Sequence, residues 1–338
     1  MPADMEHFDI YRQLPDEWLG IDERSIIQKL KKPTIFHCSG HDPSRCVVVS
    51  CLLRGNEPSG FVAIIEELKR NARGVARYRH DVIFLVGNVE AAKAAPSLFE
   101  QPFIEGQLDL KRCWKDGVDI ADEWNSFIKD KYPIATIDFR NTSGTCHPFA
   151  VWTKDDEPTK RLANVLAGTH LFMPDSLGSF TSFNARYAPA IAVNCGKRGV
   201  GQSEEHARMT MQRFFLSTQI VRGNPERYFF RKVYTNLRPI VVQDGVPFFF
   251  GVSPVPGTLI IRKDIDRLNF MDALPGDVIG WAPKNYLVHK KGQLPTDDLF
   301  DVVDGQIKLK QKVVLAIANP DEKVAKADAL FYLVDEMI

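Results

Sequence analysis

Four short stretches carry side chains able to do chemistry. Arg54-Gly55-Asn56-Glu57-Pro58-Ser59-Gly60 follows an apolar, β-branched run, Val47 to Leu53, and precedes a helical pattern at Val62, Ile64, Ile65 and Leu68. A strand that ends in a tight turn before a helix is where open α/β sheets place their ligands. Ile134 to Phe139 reads as a second such strand, closing on the turn-forming cluster Arg140-Asn141-Thr142-Ser143-Gly144. Ala190 to Cys195 is a third, running through Asn194 toward Gly196 and Lys197. The fourth stretch, Asp109-Leu110-Lys111-Arg112, lies in an irregular connection between Phe103 and Trp114. Arginine stays protonated and presents only donors, so Arg54 and Arg140 can receive a carboxylate or phosphate but cannot coordinate a cation.

Other reactive types are more scattered. Cys146-His147 follows the second strand end and Cys195 adjoins Asn194, which would give a thiol and an imidazole near one another. A Cys-His nucleophile needs an oriented pair, and neighbours on a strand point to opposite faces, so a buried inert thiol is the simpler reading. His37-Cys38-Ser39-Gly40-His41 has ligand types at close spacing but no second cluster of its kind, and a strand followed by a glycine turn accounts for it. Glu204-Glu205-His206 reads as a solvated helix face. Gly199-Val200-Gly201 lacks the surroundings of a phosphate loop.

The elements that must position these groups alternate. Ile35 to Cys38, Val47 to Leu53, Val82 to Val86, Ile134 to Phe139 and Ala190 to Cys195 read as strands. Ile21 to Leu30, Gly60 to Asn71, Ala121 to Lys131, Thr159 to Ala167 and Ser203 to Ile220 read as helices. This alternation predicts an α/β sheet with helices on both faces. After about residue 235 the texture changes to short strand-like runs at Pro239 to Val242, Pro247 to Val252, Thr258 to Ile261, Val278 to Trp281, Tyr286 to His289, Gln306 to Leu309 and Phe331 to Val334. A first domain over residues 1–235 and a smaller β-rich domain, barrel-like or sandwich-like, over 236–338 are expected.

The 338 residues suffice for a large core. Lysine plus arginine and aspartate plus glutamate number 43 each, so no global field draws the chain to nucleic acid or an anionic membrane. No run reaches membrane-span length, the start lacks a signal-peptide pattern, and six cysteines without framework spacing predict reduced thiols in the cytoplasm.

The four stretches together resemble the succinylglutamate desuccinylase/aspartoacylase family, relatives of the zinc carboxypeptidases. In that family the first turn reads His-Gly-Asn-Glu, the second Asp-Leu-His-Asn-Asn-Thr-Gly, the third Ile-Thr-Val-Glu-Cys-Gly-Lys, and the connection Asp-Leu-Asn-Arg. The resemblance implies a carboxypeptidase-like mixed sheet flanked by helices. It also implies a zinc held by two histidines and a glutamate, with a second glutamate as general base. Here Glu57 alone keeps its ligand type, Arg54 and Arg140 stand at the histidine positions, Asn194 stands at the base, and Arg112 matches while Lys111 replaces Asn. A catalytic zinc needs three lone-pair ligands and an open position, so no metal and no other cofactor is expected.

By the family's geometry the two guanidinium groups would share Glu57 as counter-ion. With Lys111, Arg112 and Asn141 beside them, they would form a cationic pocket for a small anion such as an acyl amino acid. The leading expectation is a non-hydrolytic binder. Two alternatives stand beside it. One is an active deacylase acting on N-acyl amino acids through a rebuilt zinc or thiol site; the other is a structural or interaction subunit.

Overall fold

The computed structural model describes residues 5–174, 178–220 and 232–337. The chain divides into two units, Met1–Asn141 with Pro148–Arg231, and Thr142–His147 with Lys232–Ile338.

The first unit contains β1 (Asp9–Tyr11), β2 (Thr34–Cys38), β3 (Asp42–Cys51), α1 (Ser59–Ala72), β4 (His80–Val86), α2 (Val89–Lys93), α3 (Asp119–Ile128), β5 (Pro133–Thr142), β6 (Phe149–Trp152), α4 (Glu157–Leu166), β7 (Thr169–Phe172), α5 (Phe180–Asn184), β8 (Ala190–Lys197) and α6 (Gly201–Ile220). Its strands run in the order β1-β2-β4-β3-β5-β8-β6-β7. The centre is parallel, β3 lying between β4 and β5. Antiparallel pairs β2–β4 and β6–β8 make the sheet mixed. This is the expected α/β architecture.

The central strand is apolar on both faces because both faces are covered. Val48, Ile35, Ile83 and Leu85 join one cluster with Ile120, Trp124 and Ile128 of α3 and with Phe180 and Phe183 of α5. On the opposite face α1 lies so close that a Cβ on Gly60 would stand 2.3 Å from Phe139 Cβ and 3.0 Å from Cys51 Cβ. That approach is open only to glycine. The long helix α6 packs in turn against α1 and α4.

Several local expectations are corrected. Strand β5 does not stop at Phe139; Arg140, Asn141 and Thr142 continue it despite their turn-like composition. Residues 24–29 form a 3-10 segment within the stretch read as a helix. Strands β6 and β7 and the short α5 were not anticipated.

The second unit contains β9 (Lys232–Val242), β10 (Phe248–Gly251), β11 (Leu259–Arg262), β12 (Asp272–Ala273), β13 (Val278–Trp281), β14 (Leu287–His289), β15 (Leu294–Pro295), β16 (Phe300–Val303), β17 (Gln306–Leu309), β18 (Val313–Ala316), α7 (Glu322–Ala327) and β19 (Phe331–Glu336). Strands β9-β19-β18-β12, with β14 on β9, form one sheet, and β10-β11-β13-β17-β16 form another. Both contribute to a single apolar cluster that includes Ile240, Ile261, Ile279, Phe300, Ile307, Phe331 and Leu333. The unit is β-rich, as the regular turn spacing predicts. Thr145 and Asn269 tie the 142–147 segment into it, through Thr145 N to Asp266 Oδ2 at 2.7 Å and Asn269 Nδ2 to Thr145 O at 2.9 Å.

Candidate functional site

Strand β3 ends at Cys51, and the chain turns through Leu52, whose φ of 52° is a left-handed conformation that a leucine adopts only under tertiary constraint. Asn88 N donates to Leu52 O at the end of β4 and holds the bend. The turn then closes through Glu57 N to Arg54 O at 3.1 Å. Gly55 has no room for a side chain, since its Cβ would stand 2.4 Å from Ala92 N. Arg54 and Glu57 are thereby fixed three residues apart at the start of α1.

From the 103–114 connection, Asp109 and Lys111 reach the same turn. Arg54 Nη2 lies 3.8 Å from Asp109 Oδ2, and Lys111 Nζ lies 3.8 Å from Glu57 Oε1. Leu110 between them is buried in the core, and Asp109 Oδ1 accepts from Lys111 N at 2.9 Å. The two charged side chains therefore project from one anchored bend.

The other half of the cluster comes from β5. Arg140 Nε donates to Asp138 Oδ2 at 2.6 Å, and Ser50 Oγ donates to Asp138 Oδ1 at 2.8 Å. Residues i and i+2 of a strand share a face, which is why Asp138 can pair with Arg140. Asp138 is fully buried and Arg140 nearly so.

Burial pushes the Glu57 carboxyl above its ordinary range, while Lys111, then Arg54, then Arg140 pull it back. All three cations thus act on one buried carboxyl. The expected ion pairing is corrected in detail. Lys111 is the nearest cation to Glu57, while Arg54 pairs with Asp109 and Arg140 with Asp138. Nor do these groups form a cationic excess, because Asp109 and Asp138 balance two of the three positive charges and Glu57 the third when ionised. Sequence reasoning missed both aspartates as members of the cluster, although each sits within a motif already singled out.

Two guanidinium nitrogens remain unsatisfied. Arg54 Nε and Arg140 Nη2 are buried and have no hydrogen-bond partner among the described residues. A buried donor left unpaired costs on the order of 1–3 kcal/mol.

The remaining predicted residues sit elsewhere or serve the scaffold. Asn141 accepts from Ser59 N at 3.1 Å and donates to Ser59 Oγ at 2.9 Å and to Gly196 O at 3.0 Å, so its amide links α1 to β8. Arg112 is exposed and makes no ion pair among the described residues. Asn194 is buried on β8, paired in register with Phe149, and β8 lies beside β5, the strand that carries Asp138 and Arg140. Cys195 is fully enclosed, and burial, with Glu57 and Asp138 adding to it, pushes its thiol far up. Burial likewise pushes the Cys146 thiol up to about 12. His37 pairs with Asp81 at 2.7 Å. The Glu204-Glu205-His206 run is not a uniformly solvated face: Glu204 pairs with Arg24, and the His206 ring lies 3.2 Å from Cys195 O.

The zinc implied by the resemblance does not fit these residues. Arginine donors occupy two of the three ligand positions, and among the described residues no three His, Cys, Asp or Glu side chains converge in a group able to hold a metal ion.

Neither a known protein family nor a curated protein matches the chain by sequence. Solved structures do match its fold. Succinylglutamate desuccinylase from Vibrio parahaemolyticus superposes with a TM-score of 0.58 at 17% identity, covering 90% of this chain and 86% of that one. A succinylglutamate desuccinylase/aspartoacylase from Rhodobacter sphaeroides gives 0.58 at 14%, covering 90% and 88%. A variant of murine aminoacylase 3 gives 0.56 at 14%, covering 88% and 96%. The chain has the fold of these proteins over nearly its whole length.

Proposed function

We propose that this chain is a succinylglutamate desuccinylase/aspartoacylase-like protein that binds a small carboxylate, such as an acyl amino acid, without zinc-dependent hydrolysis. The observation that carries the reading is the pair of buried, unsatisfied guanidinium donors, Arg54 Nε and Arg140 Nη2, around one buried carboxyl. A carboxylate or phosphate oxygen would satisfy such donors through charge-assisted hydrogen bonds. The motif matches and the shared fold support the family; the substitutions at the ligand and base positions support the loss of its chemistry. Fold alone does not fix activity, so the site decides the reading. No membrane-crossing helix is present among the described residues, and a cytoplasmic location is part of the same proposal.

Elemental analysis of the purified protein, before and after chelation, tests the metal half of the reading. The wild type should carry no stoichiometric zinc, whereas Arg54→His/Arg140→His, with Glu57 retained, should acquire it. Stoichiometric zinc in the wild type would sink the proposal and turn attention to a rebuilt hydrolytic site. Calorimetric titration with N-succinylglutamate tests the binding half. Saturable binding is expected, and it should weaken at least tenfold in Arg54→Met.

A further inference from the structure

Arg54 is engaged and unsatisfied at the same time. Its Nη2 faces Asp109 Oδ2 at 3.8 Å, beyond hydrogen-bond length, while its Nε is buried with no hydrogen-bond partner among the described residues. By contrast Arg140 and Asp138 meet at 2.6 Å. The Asp109 carboxylate therefore offers Arg54 charge without the short bidentate contact that a guanidinium and a carboxylate form when free to do so. What keeps Asp109 at this distance is its own bend, in which Oδ1 accepts from Lys111 N at 2.9 Å and Leu110 is buried beside it.

We propose that Asp109 is an internal stand-in for the ligand's carboxylate, held on Arg54 until a ligand displaces it. The inference rests on the anion-binding reading and adds the step by which the anion enters. A ligand carboxylate brings to Arg54 the charge that Asp109 supplies, so the exchange leaves the cluster balanced. It also reaches the hydrogen-bond length that Asp109 does not. Lys111, two residues along, stands 3.8 Å from Glu57, so the same bend carries a second loose ion pair. Both contacts couple the 109–111 bend to whatever occupies the turn.

The substitution Asp109→Asn isolates the charge, because the amide oxygen still accepts from Lys111 N and the side-chain volume is kept. If Asp109 competes with the ligand, Asp109→Asn binds N-succinylglutamate at least fivefold more tightly than wild type in calorimetric titration. The gain should vanish in Asp109→Asn/Arg54→Met. If Asp109 serves only to hold the bend, Asp109→Asn, which keeps the bond to Lys111 N, binds no more tightly than wild type. Asp109→Glu, which lengthens the carboxylate arm by one methylene and keeps the charge, should not reproduce the gain. Binding by wild type with equal or weaker binding by Asp109→Asn overturns the inference and leaves the anion-binding reading intact. Absence of binding in both proteins overturns the anion-binding reading, and this inference falls with it. Binding by Asp109→Asn alone is the strongest form of the expected result. Unfolding midpoints measured alongside verify that each variant is folded.

Discussion

Arg140 and Asp138 sit two residues apart on one strand and close a charge pair at 2.6 Å, with Asp138 completely buried and its other oxygen held by Ser50. Ser50 and Asp138 are register partners on adjacent parallel strands, so this unit is built from the sheet itself. Removing one member of a buried pair strands the other's charge, at a cost of about 3–5 kcal/mol. Arg140→Met should therefore destabilise the first unit by about that much in urea unfolding. Asp138→Asn/Arg140→Met should recover most of the loss, since no charge is then left unpaired. Equal losses in the single and double variants would mean that packing, not charge, dominates.

Asn141 makes a different prediction, although it neighbours Arg140 and stands in the same motif. Its amide joins Ser59 at the start of α1 to Gly196 on β8 with three hydrogen bonds, all buried. Asn141→Ala should lower stability by about 2–3 kcal/mol, from the lost bonds and the buried groups left without partners. Its affinity for N-succinylglutamate, measured well below the unfolding midpoint, should change less than threefold. A large affinity loss with stability unchanged would return Asn141 to the ligand site.

The strand β3, apolar on both faces, and the helix after Pro58 were legible because burial of each is written into local residue type. Strand β6 was not, because Phe149 to Trp152 is only four residues long and lies between Pro148 and a charged loop. Leu52 was illegible for another reason: nothing in leucine announces a left-handed backbone, which tertiary packing imposes. At the site, the residue types at each position could be read, but their partners could not. Which carboxylate meets Arg54 depends on where the 103–114 connection crosses the turn, and only the fold sets that distance. The pairing of Asp138 with Arg140 was accessible in principle, since residues i and i+2 of a strand share a face. Reading Arg140 as the start of a turn hid it.

The six thiols carry a prediction about the thiol alternative. All are unbridged, and five are buried. Burial pushes Cys38, Cys46, Cys113 and Cys146 up to about 12, and it also holds the Cys51 and Cys195 thiols well above their ordinary range. Only the thiolate is nucleophilic, and an unfolded cysteine has a pKa of about 8.5. In the folded protein at pH 8, a disulfide reagent should titrate no thiol rapidly, with Cys146 the first to react. All six should react at once in guanidinium. A native thiol reacting faster than free cysteine would revive a cysteine nucleophile.

Glu57 gives the chain a distinctive pH dependence. Burial raises its folded pKa above the unfolded value of about 4.3 even though three cations oppose the rise. A raised carboxyl binds its proton more tightly when folded, so its contribution to stability is complete below the unfolded pKa and is lost as pH climbs through the folded one. Above that pH the buried carboxylate is a liability that Lys111, at 3.8 Å, offsets only in part. Glu57→Gln keeps the shape and removes the titration. Its stability relative to wild type should therefore increase as pH rises from 4 to 8, in urea unfolding at each pH. The opposite slope, with wild type gaining on Glu57→Gln toward pH 8, would show that the cations outweigh burial. Arg54, Lys111 and Arg140 would then hold Glu57 as a fixed counter-ion, and the unsatisfied guanidinium donors would have less call on an external anion.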